Sequence, residues 1–380
     1  MIYYIRRIHR KKGDFDMYTV RFQLELSESE KRFLSKSFFY ANQMHNQLVR
    51  YATNRLNALF HDTEYVDARK AYGEAEFSKK KGSELSAFEK KKKKELSNIM
   101  CIKQKEYDLT KTSLCKFVSK EQKKFKNYIN SHQAQAEAEA VYKGVEKVLF
   151  EDGRHLHYRR YNSFDCIKQK CAATGVRLSR WDTICFMKHY YKVRVPKNEY
   201  IQNIISSVDL KEDVVYSFLK RIEFNSGFKY YVVITLRGDA PKRIKLSKDG
   251  GHRTGVDFGT STIATVSNNE VHLEELAPES AKYEKEIRHK QNLVDASMRK
   301  HNPENYNKNG TVKKGKHKWK TTKRCRRLKR QVRVLYRKQS AYIKTSHHTF
   351  INTVRSKYKR IHPGANELQS SAKEIKEDRA

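Results

Sequence analysis

The stretch Gly255-Val256-Asp257-Phe258-Gly259-Thr260-Ser261-Thr262-Ile263-Ala264-Thr265-Val266 leaves few folds open to this chain. It reads as a strand carrying one aspartate, a glycine turn, and a second strand returning beside the first. Side chains alternate across a strand, so Asp257 projects from one face while Val256 and Phe258 point to the other. Gly259 gives the backbone freedom to reverse next to the carboxylate, and the β-branched run Thr262 to Val266 suits a strand. Asn268-Asn269 supplies a turn, and Val271-His272-Leu273-Glu274-Glu275-Leu276 alternates as a third strand. A lone strand aspartate is more often a surface or turn residue than a metal ligand, so its meaning depends on the rest of the chain.

Charge narrows that meaning. The sequence holds 81 Lys plus Arg against 43 Asp plus Glu, a net charge of +38. An excess of that size repels itself unless a polyanion neutralises it, which points to nucleic acid as the partner. No run of about 18 apolar residues is present, and the opening Met1-Ile2-Tyr3-Tyr4-Ile5-Arg6-Arg7 lacks a signal-peptide core. The expectation is a soluble, cytoplasmic protein of bacterial type, associated with the nucleoid and not with a membrane. The six cysteines are scattered with no C-x-x-C pair, whereas a zinc ribbon needs two tight pairs to close its tetrahedron. No zinc site is expected, and reduced thiols fit an intracellular setting.

Residues 18 to 26 alternate strictly, with Tyr18, Val20, Phe22, Leu24 and Leu26 on one face of a half-buried strand. Ser27-Glu28-Ser29-Glu30 is a capping box and opens a helix whose inward stripe is Leu34, Phe38, Ala41, His45, Leu48, Ala52 and Leu59. His45 reads as a core-edge histidine. Asn42, Asn46, Arg50, Tyr51 and Asn54 lie on the other face, where they could reach DNA base edges or phosphates, or make an ordinary polar helix face. Residues 62 to 145 are charge-dense, without proline, and their sparse apolar positions predict long helices with narrow seams. This region reads as a helical insertion lying against a nucleic-acid backbone, or as a coiled-coil arm. Ala134-Gln135-Ala136-Glu137-Ala138-Glu139-Ala140 is expected to be helical and exposed.

The period then changes to two. Val148-Leu149-Phe150 and His155-Leu156-His157-Tyr158, joined by Asp152-Gly153, predict a hairpin. Strands follow at 192–195, 214–224 and 228–236, so residues 146–240 predict an antiparallel barrel separated from its first strand by the helical insertion. His155 and His157 sit at strand spacing, and in the absence of a third ligand they read as nucleic-acid contacts or plain surface. Residues 242–251, basic and ending in Gly250-Gly251, read as a linker. After Pro278 a helix carries Tyr283, Ile287 and Val294 in one seam. A glycine-broken basic loop follows, with Lys316, Lys318, Trp319 and Lys320 suited to an RNA or single-strand backbone. The last long helix turns Leu328, Val332, Leu335, Tyr342 and Phe350 inward. Its outer face carries Arg324, Arg326, Arg327, Lys329, Arg330, Arg333 and Arg337, a row set to track phosphates.

A meander with one acid on its first strand is how a ribonuclease-H-like core begins. A capped strand-helix start, a helical insertion, a returning barrel, Gly-Val-Asp-Phe-Gly-x-x-x-x-Ala-Thr-Val and an Arg-rich helix together resemble the TnpB family. These are transposon-encoded, RNA-guided nucleases related to type V CRISPR effectors. The resemblance implies an α+β multidomain fold. A wedge-type antiparallel barrel would occupy residues 1–26 and 146–250, a helical recognition domain 27–145, and the N-terminal portion of a RuvC-like nuclease domain 251–380. It further implies a guide RNA, a double-stranded DNA target beside a short flanking motif, and Asp257 as the first of three acidic metal ligands.

In that family the strand after the Arg-rich helix carries a glutamate, and a zinc ribbon and a final aspartate follow. Here Pro363-Gly364 is expected to break any strand, and Glu367 has no apolar strand around it. Two-metal phosphodiester cleavage needs several carboxylates bridging ions about 3.5 to 4 Å apart. One carboxylate leaves Mg²⁺ mostly hydrated, so Mg²⁺ could approach Asp257 without supporting cleavage. The resulting expectation is a partial nuclease domain without its later strands, in a nuclease-deficient protein that binds DNA through a guide RNA and represses transcription. Alternatives are an RNA-guided endonuclease or transposon accessory protein with residual activity, and a decayed transposon gene product. Asp257-Phe258-Gly259-Thr260-Ser261 also resembles the first phosphate motif of actin- and Hsp70-like ATPases, but no second Asp-x-Gly loop follows it.

Overall fold

In the computed structural model, the residues described are 7–8, 16–80, 87–151, 153–169, 175–241, 253–259, 261–267, 270–358 and 360–363. The linker expected at 242–251, the turn Asn268-Asn269 and the tail containing Glu367 lie outside them. The chain divides into two compact units. One comprises Met1–Ile222 with Phe228–Pro241, the other Glu223–Gly227 with Lys242–Ala380.

In the first unit, β1 (Arg7–Ile8) pairs with β2 (Met17–Glu25), whose Tyr18, Val20, Phe22 and Leu24 are buried as the alternation requires. Helix α1 (Glu28–Leu59) opens on the predicted capping box: the Ser27 N–H donates to the Glu30 carboxylate at 2.6 Å, and the Glu30 N–H to Ser27 Oγ at 3.3 Å. All seven predicted inward residues of α1 are buried. The insertion is helical, with α2 (Thr63–Lys80), α3 (Ala87–Glu106), α4 (Lys111–Gln122), a 3-10 turn at Lys123–Phe125 and α5 (Ser131–Phe150).

Two expectations fail in α5. The helix runs through Val148 and Leu149, so the hairpin placed there does not form; Val141, Val145, Val148 and Leu149 continue one buried helical stripe. The Ala/Glu run is not an exposed face either. Ala134 and Ala138 are fully buried, and Glu137, 4% exposed, bonds His45 Nδ1 at 3.0 Å. His45 is therefore a paired core residue.

After a 3-10 turn at Tyr161–Ser163 come β3 (Cys166–Ile167), β4 (Arg177–Arg180), β5 (Thr183–Phe186), β6 (His189–Arg194), α6 (Glu199–Ser207), β7 (Val214–Phe224) and β8 (Gly227–Arg237). They form an antiparallel eight-stranded sheet in the order β3-β7-β8-β2-β6-β5-β4, with β1 joined to β2. β2 thus pairs on both sides with strands that follow the helical insertion.

The second unit holds the meander: β9 (Arg253–Phe258), β10 (Thr262–Ser267) and β11 (Val271–Glu275). Helix α7 (Ser280–His301) and helix α8 (Lys323–Lys357) lie antiparallel, tied by Gln291 Nε2 donating to the Tyr336 hydroxyl at 2.9 Å and by Tyr283 against Tyr342, ring centroids 6.0 Å apart. Val256 and Ile263 from the sheet pack with Val354 of α8, flanked by Leu276, Phe350 and Tyr358. The expected break at Pro363 is a strand instead. β12 (Arg360–Pro363) runs parallel to β9, Pro363 opposite Val256, giving the order β11-β10-β9-β12. Proline is tolerated because β12 is an edge strand and Pro363 is its last residue, where a missing N–H costs little. One short strand beyond the Arg-rich helix is therefore present among the described residues.

Candidate nucleic-acid interface

On α1, the amides expected to face DNA are held by the protein's own main chain. Asn42 Nδ2 and Asn46 Nδ2 both donate to the Arg159 carbonyl, at 2.9 and 3.0 Å, and the Arg159 N–H returns a bond to Asn46 Oδ1 at 2.9 Å. Asn46 therefore pairs with Arg159 as one strand residue pairs with another, fixing the direction in which the chain around Arg159 runs. Tyr51 lies between Phe117, with centroids 3.9 Å apart, and the Arg55 guanidinium 3.4 Å from its ring. Its hydroxyl donates to Asp108 at 3.3 Å, and burial is the main reason its ionisation is pushed up. Arg50 and Asn54 are exposed and are the two members of this group that face solvent most openly.

The basic loop of the second unit is ordered by the same device. Asn302, fully buried, donates from Nδ2 to the carbonyls of Met298 at 2.8 Å and Lys320 at 3.0 Å, and accepts from the Lys320 N–H at 2.6 Å. Asn305 Nδ2 donates to the Lys318 carbonyl at 2.9 Å. Two buried asparagines thus hold the main chain of Lys318 and Lys320 while Lys316, Lys318 and Lys320 stay exposed. Trp319 is 40% exposed, edge-on to Tyr306 at 5.8 Å and to His317 at 6.2 Å. A partly open indole in a row of lysines combines a stacking surface with phosphate-binding charge.

On α8, Arg324, Arg326, Arg327 and Arg330 are exposed and Lys329 is half-buried. Arg333 differs: its guanidinium is bidentate to Glu223, 2.7 and 2.8 Å, with Arg330 3.5 Å from the same carboxylate. That hydrogen bonding raises the pKa of Arg333. Part of the row is therefore held by the protein itself, while Arg324, Arg326 and Arg327 at its N-terminal end stay exposed.

Asp257 is exposed on the face of the meander opposite the α8 contact. Its cross-strand neighbours are Ala264 and, one strand further, Leu273. Among the described residues the next carboxylate on that face, Glu275, is two strands across and two residues along, roughly 12 Å away by strand geometry. No group of three or more His, Cys, Asp or Glu side chains that could hold a metal ion occurs among the described residues. Among the described residues, Asp257 and Glu275 at this separation do not fit a two-ion site. Among the described residues, no helix is long and apolar enough to cross a membrane.

For the segment Arg154 to Arg160 the sequence reading gives half of a hairpin, with His155 and His157 as nucleic-acid contacts or plain surface, and leaves the three arginines unused. Its signal was present in Arg154-His155-Leu156-His157-Tyr158-Arg159-Arg160, three arginines and three aromatic rings in seven residues.

No family model and no curated protein matches this sequence. Among solved structures, the chain is similar to a CRISPR-Cas12f ternary complex at 11% identity and a TM-score of 0.29, covering 90% of this chain and 67% of that one. It is also similar to a Cas12f1–sgRNA–target DNA complex at 11% identity and a TM-score of 0.32, covering 87% of this chain and 76% of that one. At these scores the functional reading rests on the residues themselves.

Proposed function

We propose that this protein binds a guide RNA and, through it, complementary DNA beside a short flanking motif, and that it acts there by occupying the DNA and repressing transcription. The observation that carries the reading is the pairing of a +38 net charge with ordered basic elements, above all the Lys316–Lys320 loop held by Asn302 and Asn305. Such a surface neutralises phosphates without reading sequence, and base pairing then supplies most of the selectivity. We read the activity as occupation without cleavage because, among the described residues, the carboxylate that shares the Asp257 sheet face, Glu275, lies two strands across. The test is to purify the protein from cells carrying its native flanking DNA and sequence the RNA that comes with it. One abundant RNA with a constant scaffold and a defined variable end is expected. Heterogeneous RNA fragments removable by high salt would contradict the reading.

A second reading, an RNA-guided endonuclease, is favoured by one observation: a short strand after the Arg-rich helix, β12, runs parallel to the Asp257 strand, although its residues Arg360-Ile361-His362-Pro363 carry no glutamate. The two readings part in one assay. Guide-matched duplex with Mg²⁺ stays intact under the first, and is cut under the second in a manner abolished by Asp257→Ala.

A further inference from the structure

The segment between α5 and β3 is neither helix nor strand from Gly153 to Arg160, yet it is pinned at several points within its own unit. Leu156 packs on the core against Gly144 of α5, where a Cβ would approach it to 3.1 Å. Asn42 and Asn46 hold the main chain of Arg159. Just beyond, the Tyr161 hydroxyl meets Ser35 Oγ at 3.1 Å, and buried Arg221 donates from Nε to the Phe164 carbonyl at 2.9 Å and from a terminal nitrogen to that of Tyr161. Arg221 is itself enclosed by the rings of Phe38, Tyr161 and Phe228, 4.7, 4.1 and 4.2 Å from its guanidinium carbon.

What this anchoring presents outward is a ribbon of like chemistry. Arg154, His155, His157, Tyr158, Arg159 and Arg160 are all exposed, Tyr158 by 58%. Among the described residues none of the three arginines has a carboxylate partner. The two imidazoles lie edge to face with centroids 4.3 Å apart. Among the described residues these three exposed cations lack carboxylate partners and lie along an anchored stretch of main chain, which suits them to a polyanion. Aromatic rings interleaved with them favour a partner whose bases are open to stacking; a duplex keeps its bases stacked internally.

We propose that residues 154–160 form a binding ribbon for an unpaired polynucleotide strand, with Arg154, Arg159 and Arg160 on phosphates and His157 and Tyr158 stacking on bases. It repeats, in the first unit, the asparagine-held design of the Lys316–Lys320 loop: Asn46 pairs both ways with Arg159 as Asn302 does with Lys320. The ribbon is independent of the guide-RNA reading, since a protein without any guide would still display it.

The test measures equilibrium binding of the full chain, freed of copurified nucleic acid, to a 15-nucleotide oligo(U) RNA, to oligo(dT) of the same length and to a duplex DNA, across a series of KCl concentrations. Two variants separate the two kinds of contact. In the triple variant Arg154→Gln/Arg159→Gln/Arg160→Gln, the slope of log K against log[KCl] on single strands should flatten by about 2, three contacts at about 0.7 each. Tyr158→Ala should weaken single-strand binding roughly tenfold and leave the slope unchanged, because stacking releases no counterions. A loss confined to RNA or to DNA identifies which strand the ribbon takes and supports the proposal. A triple variant with the parental slope on both strands, or one that loses as much slope on duplex as on single strands, overturns it.

Discussion

At the scale of single residues, burial decides chemistry that composition hides. Glu137 sits in an Ala/Glu repeat that reads as solvent-facing helix, yet it is buried against His45, 92 positions earlier in the chain. The repeat of two in Ala-x-Ala-x-Ala masked the helical stripe through Ala134, Ala138 and Val141, and no local pattern names a partner so distant. Asn42 and Asn46 teach the same lesson: their presence on the polar face of α1 was legible, their main-chain acceptor was not. Cys166 gives a direct check on burial. Desolvation, with the neighbouring Asp165 carboxylate next in effect, pushes its thiol up to about 11. Because the thiolate is the nucleophile, Cys166 should alkylate slowly at pH 8 and speed up about tenfold per pH unit toward 11. Exposed Cys101 should react well before it at pH 8. Mass spectrometry after timed iodoacetamide treatment would show this order, and equal labelling of the two at pH 8 would contradict it.

At the scale of elements, the sequence was readable wherever a period and a cap agreed. β2 alternates and is buried as it alternates, and α1 begins at its capping box. The β7–β8 hairpin turns at Asn225-Ser226-Gly227, where Gly227 takes φ +122°. Short elements were missed because their signals are weak beside their neighbours. Helix α6 has an Asn198 N-cap and buried Ile201 and Ile204, and β12 ends on a proline that by local rules argues against a strand. The basic loop was legible as a loop, but its rigidity comes from Asn302 and Asn305, which a sequence reader takes for turn residues. Asn302→Ala removes three hydrogen bonds, two of them the side-chain partners of the Lys320 N–H and carbonyl, a local cost of about 2 to 3 kcal/mol. Hydrogen exchange at the Lys320 amide should accelerate roughly 30- to 100-fold with the core of the unit unaffected. An unchanged rate would show that the asparagine does not hold the loop.

At the scale of the whole molecule, the charge excess is the property that the sequence states most plainly, and the fold distributes it onto ordered surfaces. The eight-stranded sheet captures β2 across the helical insertion, and the four-stranded sheet brings β12 beside the Asp257 strand. The strands β2, β7 and β8 of the first sheet and the meander of the second were anticipated from alternation, whereas the order of the first sheet was not; nor was the long-range pairing of β12, because four residues ending in proline carry too little pattern. In the proposed function, DNA selection is delegated to an RNA. It is tested most directly by replacing the variable end of the copurified RNA with a new sequence and measuring affinity for two duplexes, one matched to the old RNA and one to the new. Preference should transfer to the new duplex, by 100-fold or more at about 0.15 M salt, while the protein is unchanged. Equal affinity for both duplexes, collapsing together as salt rises, would contradict it.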